Sequence, residues 1–168
     1  KHCETLVPEA SEREHLFNVM AYKVQHPEVK INHAVLHGGD QGCGKDTLWA
    51  PFIWAVCGPG MKNRGLLELK EPEARERRAL ANKLKPIIAA PPDMLPINRK
   101  GLHPYDMVNR MFVLAFSNDP VPISIDSQDR RWFCVWSTAP RMSPDAALKL
   151  WNWYKGGGFE AIAGWLHA

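Results

Sequence analysis

A glycine-rich segment near residue 40 has the residue types and spacing of a phosphate-binding loop. Gly39 is followed by four residues and then by Gly44 and Lys45, which gives the pattern G-x-x-x-x-G-K within HGGDQGCGKDTLWAPF. Glycines let backbone N–H groups converge on phosphate oxygens, and a helix starting at the lysine adds the partial positive charge of its N-terminus. The lysine would reach the β and γ phosphates of a nucleoside triphosphate.

The surroundings of this loop favour that chemistry over a structural glycine turn, which is the alternative. A strand-like run, HAVLH, precedes the loop, and an apolar helix-like run follows it. We therefore predict that a nucleotide binds at Gly39, Asp40, Gln41, Gly42, Cys43, Gly44, Lys45, Asp46 and Thr47.

The residue after the lysine departs from the usual pattern. Asp46 stands where a hydroxyl that ligates Mg²⁺ is common, and Thr47 follows it. Either Thr47 takes over this role, or Asp46 holds the metal directly or through water. Both residues are candidate Mg²⁺ ligands.

A second polar position follows the strongest predicted strand, RMFVLAFS at 110–117. This strand ends in Ser117, Asn118 and Asp119, at the carboxyl edge where parallel sheets bind ligands. Asn118 could orient the water that attacks the γ phosphate. The alternative is an asparagine that starts a turn before Pro120.

Two adjacent arginines, Arg130 and Arg131, stand at the head of the predicted strand at 130–137. A guanidinium stabilises the charge that develops on phosphoryl oxygens, so one of them is a candidate arginine finger, a residue that completes a nucleotide site. An ordinary surface charge is the alternative.

The elements that must position these residues follow from hydrophobic periodicity and turn signals. Helices are predicted at 9–25 (with a capping box at Ser11 and Glu14), 45–57, 71–85, 144–155 and 159–167, and strands at 33–37, 110–117 and 130–137. Five prolines in 86–107 predict extended arms around a hairpin tip. Strands separated by helices predict an α/β fold with a largely parallel sheet.

Composition limits the function classes. The chain has 168 residues, 45% of them hydrophobic, which suits one domain, and its net charge of +3 permits a nucleic-acid partner without requiring one. Four scattered cysteines favour neither a zinc site nor a disulfide framework, and seven tryptophans are expected to pack in the core. No apolar run predicts a membrane span or a signal peptide, so we expect a cytoplasmic protein. The start at Lys1 suggests that the sequence is a piece of a longer chain.

The order of the motifs resembles the helicase domain of phage and prophage primase-helicases, within superfamily 3. The segments that carry the resemblance are YKVQHP, GGDQGCGKDT, ELKEPEARERRALANKLKPII, INRKG, FSNDP and DRRW, which extend through nearly the whole chain. The resemblance implies a three-layer P-loop ATPase core of modified AAA+ type in a ring, usually a hexamer, that moves on single-stranded DNA with ATP and Mg²⁺. It also implies a primase domain on the same longer chain, and the cytoplasm of a bacterial host.

Carried over by position, the resemblance implies roles for particular residues. Lys45 with Gly39, Gly42 and Gly44 would form the first nucleotide motif, Asn118 would be the sensor, and Arg130 or Arg131 would reach a neighbour's ATP. Arg99, Lys100 and His103 would belong to a DNA-contacting hairpin. The single domain over 1–168 would comprise a helical lead-in at 1–30, the ATPase core at 31–138 and C-terminal helices at 139–168.

The second nucleotide motif departs from this pattern. It should be an apolar strand ending in acidic residues, yet only LLEL is present, with Glu68 as its sole acid, 23 positions after Lys45. Either a loop and most of a strand are absent between Gly60 and Leu66, which we favour, or the ATPase is degenerate. Glu68 is the candidate general base and a candidate Mg²⁺ ligand.

The sequence is therefore consistent with three functions. The leading one is an ATP-dependent DNA helicase or translocase. A nucleotide kinase is an alternative because GKDT resembles the GKGT of that group, although a helix precedes the first strand and no arginine-rich lid is evident. A nucleotide-dependent assembly module that binds DNA without hydrolysing ATP is the third, favoured by the weak second motif.

Overall fold

A parallel sheet of three strands lies at the centre of the structure, a computed structural model that describes residues 1–58, 74–89, 93–98, 100–126 and 128–168. The strands are β1 (Ala34–Gly39), β2 (Met94–Ile97), β3 (Tyr105–Val108), β4 (Val113–Ser117) and β5 (Trp132–Ser137). The helices are α1 (His2–Leu6), α2 (Ala10–Gln25), α3 (Lys45–Cys57), α4 (Ala74–Ile88), α5 (Pro144–Trp153) and α6 (Phe159–His167), with a π-type turn at Tyr154–Gly158 between the last two.

The sheet order is β4-β1-β5, and β1 pairs with both neighbours in parallel. All six residues of β1 are buried, as expected for the middle strand of a parallel sheet covered by helices. The predicted α/β class with a parallel sheet is confirmed. None of the helices in the described ranges is long and apolar enough to cross a bilayer.

Helices cover both faces of the sheet. On one face Val35 packs in a cluster with Leu16 of α2 and Trp49 of α3. On the other, Leu80 of α4 packs with Ile123 and with Trp132 of β5. This layering leaves the carboxyl ends of β1 and β4 together at one edge, joined in register through Gly38 and Ser117.

Most predicted elements are present, with shifted ends. The predicted capping box of α2 is wrong, because the helix begins at Ala10 and places Ser11 inside its first turn. The Glu9 carboxylate caps it instead, accepting from the Ser11 N–H at 3.5 Å, and it also accepts from the Ser11 hydroxyl at 3.1 Å. The short helix α1 was not predicted, and the segment LLEL, assigned to the second nucleotide motif, lies outside the described residues.

The predicted hairpin is confirmed. Strands β2 and β3 pair antiparallel, with Ile97 opposite Tyr105, and the tip carries Gly101 at φ +85°. Asn109 fixes its base, because its N–H donates to Asp93 O at 2.6 Å and its Nδ2 donates to Ile87 O of α4 at 2.8 Å.

The expectation that all the tryptophans pack in the core is wrong for several of them. Trp49 is fully buried, whereas four others are 39–59% exposed: Trp136, Trp151, Trp153 and Trp165. The reason is that helix or strand position alone does not say which face of an element is covered.

A buried lysine holds three chain segments together. Lys23 of α2 is 4% exposed, and its ammonium donates to Pro27 O at 2.9 Å and to Val29 O at 2.8 Å. A third bond, 2.8 Å to Arg110 O, reaches the segment just before β4. Burial lowers the pKa of Lys23, and these three carbonyls offset the cost of desolvating its charge.

We predict that Lys23→Met lowers the free energy of unfolding by roughly 2–4 kcal/mol, because the isosteric side chain leaves three carbonyls without their donor. Urea unfolding measures the change. Lys149→Met, at an exposed position of α5, is the matched control and should have little effect. Equal stability of the two variants would contradict the role given to Lys23.

Candidate nucleotide-binding site

The glycine loop, residues 39–47, lies where β1 ends and α3 begins, as predicted. Gly44 is the N-cap of α3 and has φ +98°, a conformation that residues with a side chain rarely adopt. A Cβ at Gly44 would lie 2.5 Å from Met142 Cε and 2.8 Å from His2 Cε1, so the position has no room for one. Met142 and His2, which are distant from each other in sequence, therefore both pack against this loop.

Lys45 is buried at the centre of the site, 5% exposed. Its Nζ donates to Gly39 O at 2.9 Å, to Asp40 O at 3.3 Å and to Asn118 Oδ1 at 2.5 Å. The parallel register of β1 and β4 places Asn118 beside the end of β1. Two residues predicted from separate motifs thus make direct contact.

A closed turn holds Asn118 in place. The Asp119 N–H donates to Ser117 Oγ at 2.9 Å, and the Val121 N–H donates to Asp119 Oδ1 at 2.8 Å. Arg77 of α4 donates to the other carboxylate oxygen of Asp119 at 2.7 Å. Asn118 therefore lies in a turn, as the structural alternative expected, and also faces the lysine.

The rim of the loop is open to solvent. Asp40, Gln41, Gly42 and Asp46 are exposed, Cys43 is buried, and Thr47 is half-buried. The Tyr154 hydroxyl donates to Thr47 O at 3.0 Å and ties the first turn of α3 to the C-terminal helices. A phosphate chain could thus approach the loop from solvent.

The donors for a metal are sparse in the described part of the site. Asp46 and Thr47 carry the carboxylate and hydroxyl oxygens that Mg²⁺ prefers, so their chemistry fits the predicted role. Across the described ranges no group of three or more His, Cys, Asp or Glu side chains could hold a metal ion. Glu68, the other predicted ligand and the predicted general base, lies outside those ranges.

The two candidate arginine fingers lie at the N-terminal ends of the strands, opposite the ends that carry the glycine loop. Arg130 and Arg131 precede β5, whose first residue pairs with Ala34 at the start of β1. At about 3.3 Å per residue the length of β1 separates them from the loop by roughly 17 Å. The structure does not bring them to Lys45 of the same chain.

The two arginines also differ from each other. Arg131 makes a bidentate pair with Asp129, with Nε donating to Oδ1 and Nη2 to Oδ2, both at 2.7 Å. Its hydrogen bonds hold the pKa of Asp129 below the usual range. Arg130 is exposed and makes no ion pair with any described residue, so it is the one free to reach another molecule.

The predicted DNA-contacting residues are exposed at the hairpin tip. Lys100 and His103 lie between β2 and β3, and both are exposed. Arg99 lies outside the described residues.

The residues that pack against the loop were not predicted from the sequence. His2 Nε2 donates to Gly44 O at 3.1 Å, and burial lowers the pKa of this histidine. The Met142 N–H donates to Gly42 O at 2.9 Å, which lays Arg141 across the same glycine. No local pattern could have signalled these contacts, because they join segments that are about 40 and 100 positions apart.

A buried histidine, His37, lies on the strand that leads into the loop. His37 of β1 is fully buried, and Trp49 Nε1 donates to its Nδ1 at 2.9 Å. Its Nε2 has no hydrogen-bond partner in the described structure. Burial, together with the nearby charge of Lys45, lowers the pKa of His37 to about 4, so the ring is neutral at neutral pH.

No protein-family model matches the chain, and no curated protein matches it. Three solved structures of the C-terminal region of NrS-1 are similar to it in fold. An apo structure has a TM-score of 0.79 at 19% identity, and an A-form apo structure has 0.75 at 19%; each match covers 99% of this chain and 44% of that one. Another A-form apo structure has a TM-score of 0.65 at 18% identity, covering 90% of this chain and 40% of that one.

This chain thus spans less than half the length of the NrS-1 regions that it matches. At this level of identity the likeness shows the fold. The fold of this chain is therefore similar, over 99% of its length, to a part of the C-terminal region of NrS-1.

We predict that stability falls as pH drops from about 6.5 to about 4, because the unfolded chain protonates His37 in this window while the folded chain does not. The variant His37→Gln does not titrate, so its pH-dependent loss of stability should be smaller by on the order of 2–3 kcal/mol. Urea unfolding at several pH values measures this difference.

The matched control is His167→Gln at the exposed end of α6, which should keep the slope of the wild-type protein. A His37→Gln protein with that same slope would contradict the assignment of the titration to His37.

Proposed function

We propose that this domain binds ATP at the glycine loop and acts as an ATP-dependent DNA helicase or translocase motor of a phage-type replication protein. The observation that carries the proposal is the contact between buried Lys45 and Asn118, which joins the loop to the carboxyl end of the neighbouring strand. The likeness in fold to the NrS-1 C-terminal region and the motif order both support it. A P-loop ATPase core of AAA+ type and a primase domain on a longer chain are parts of the same proposal.

The contacts of Lys45 suggest how ATP would enter. In the structure the lysine ammonium is satisfied by two carbonyls and one amide oxygen. Phosphate oxygens are stronger acceptors for an ammonium than the neutral amide of Asn118, because the hydrogen bond becomes charge-assisted on both sides. Lys45 would exchange Asn118 for phosphate, which leaves the Asn118 side chain to orient the attacking water.

Asp46 and Thr47 would hold Mg²⁺ with the phosphates, and the metal would neutralise charge that develops during transfer. The first turn of α3 adds N–H groups and the positive end of its dipole at the same place. Glu68 is the proposed base, carried over from the resemblance.

The separation between loop and arginines supports a site shared between subunits. Arg130 lies roughly one strand length from the loop of its own chain, and we propose that it acts instead on the nucleotide of a neighbour. Arg131 is already engaged by Asp129, and its role would be to shape the turn that carries Arg130. We therefore propose a ring, with a hexamer as the expected size.

The hairpin supplies the proposed DNA contact. Lys100 and His103 are exposed at its tip, and with Arg99 they would bind phosphates of single-stranded DNA in the middle of the ring. Contacts of this type give binding with little sequence preference.

A second candidate is a module that binds nucleotide and DNA without hydrolysis. It is favoured by one observation, that the described part of the site brings no cluster of acidic ligands to Lys45. ATPase assays with and without single-stranded DNA separate the two functions, because the motor should be stimulated by DNA and the module should release no phosphate.

We predict that Lys45→Ala abolishes ATP hydrolysis and weakens ATP binding by roughly 10- to 100-fold, the loss of one charge-assisted contact. Asn118→Ala should reduce turnover but keep ATP affinity near that of the wild-type protein, since it removes a competitor for the lysine. Calorimetry and phosphate release measure the two quantities. Hydrolysis at the normal rate by Lys45→Ala would show that the loop is not the catalytic site.

We predict that Arg130→Ala is nearly inactive, with a loss on the order of 10³-fold, and that Arg131→Ala loses less activity. Mixed rings of Arg130→Ala and Lys45→Ala subunits should regain part of the ATPase activity, because some interfaces combine an intact loop with an intact arginine. The mixture is compared with each variant alone at equal total protein. Full activity of Arg130→Ala in a preparation shown to be oligomeric would rule out its role as a finger.

A further inference from the structure

Arg141 is an unassigned cation held against the glycine loop. A Cβ at Gly42 would lie 3.1 Å from Arg141 Cγ, 3.2 Å from Nε and 3.4 Å from Cδ, so the side chain passes directly over this glycine. Gly42 itself is exposed and has φ +83°, which places it at the solvent side of the loop. Arg141 thus lies at the entrance through which a phosphate chain would reach Lys45.

The backbone on both sides fixes this position. The Met142 N–H donates to Gly42 O at 2.9 Å, directly next to the arginine. On one side β5 ends at Ser137, in register with Gly39. On the other, Ser143 caps α5 by accepting from the Ala146 N–H at 3.2 Å. The segment that carries Arg141 is therefore anchored along the loop rather than free at the surface.

The charge of Arg141 is not used within the described structure. Its side chain is exposed and forms no ion pair with any described residue, although Asp40 and Asp46 are carboxylates of the same loop. These two carboxylates at the rim would repel an incoming polyphosphate, and Lys45, deep in the loop, offsets only one of them. A second cation at the rim gives the entrance the charge that a triphosphate requires.

From this arrangement we propose that Arg141 binds the phosphate groups of ATP held by the loop of its own chain. The inference rests on the proposed nucleotide binding and adds a second cation to it. Its role differs from that of Arg130, which lies at the far edge of the sheet and would act on a neighbour. Guanidinium groups suit this task because their fixed fork of donors can contact two phosphate oxygens at once.

Equilibrium binding of ATP, ADP and AMP with Mg²⁺, measured by calorimetry, tests the proposal. Arg141→Ala should raise the Kd for ATP roughly 10- to 100-fold, with a smaller effect on ADP and the smallest on AMP. Arg141→Lys should restore part of the affinity, because the charge remains and the fork is lost. Since Arg141 is exposed, its variants should unfold at the same urea concentration as the wild-type protein.

The matched control is Lys149→Ala, which removes one exposed positive charge from α5 and should change the Kd by less than about threefold, as for other long-range surface charges. If the wild-type protein binds ATP and Arg141→Ala matches this control, the inference is wrong and the proposed function stands. A loss for AMP as large as that for ATP would contradict a contact to the β and γ phosphates, by placing the contact on the α-phosphate, ribose or base that all three nucleotides share. A wild-type protein that binds no ATP would contradict the proposed function and the inference together.

Discussion

Burying the Lys45 ammonium at the edge of a parallel sheet carries a desolvation cost of several kcal/mol, and the surrounding structure offsets it. Two carbonyls of the glycine loop and the amide oxygen of Asn118 surround the charge. The loop carbonyls can face the lysine only because the glycines allow the chain to turn back on itself. Asn118 can face it only because β4 pairs with β1 in parallel, with Ser117 beside Gly38.

Three segments that are distant in sequence contact the loop that holds Lys45. His2 and Met142 pack at Gly44, and Tyr154 bonds to Thr47, so α1, the segment after β5 and the C-terminal turn all restrict the same few residues. A loop held at several points keeps its N–H groups oriented before a ligand binds, which reduces the entropy lost on binding. The residues at the rim of the loop are exposed, so the loop is held in place and is still open to a ligand from solvent.

Several features could be predicted from sequence because their signals are local. The glycine spacing, the apolar run of α3 and the prolines of the hairpin each lie within about twenty residues, and each predicted the right kind of element. The contacts of His2 and Arg141 with the loop could not be predicted, since they depend on how separate segments pack. Likewise, the adjacent Arg130 and Arg131 are equivalent in sequence, and only the Asp129 pair distinguishes them.

A structure determined with Mg²⁺ and a non-hydrolysable ATP analogue would show whether Lys45 binds the phosphates of a nucleotide. We expect phosphate oxygens within about 3 Å of Lys45 Nζ and of the backbone N–H groups of the loop, and we expect the bond between Lys45 and Asn118 to be broken. An analogue bound elsewhere, or a loop that keeps Lys45 on Asn118 at saturating analogue, would contradict this expectation.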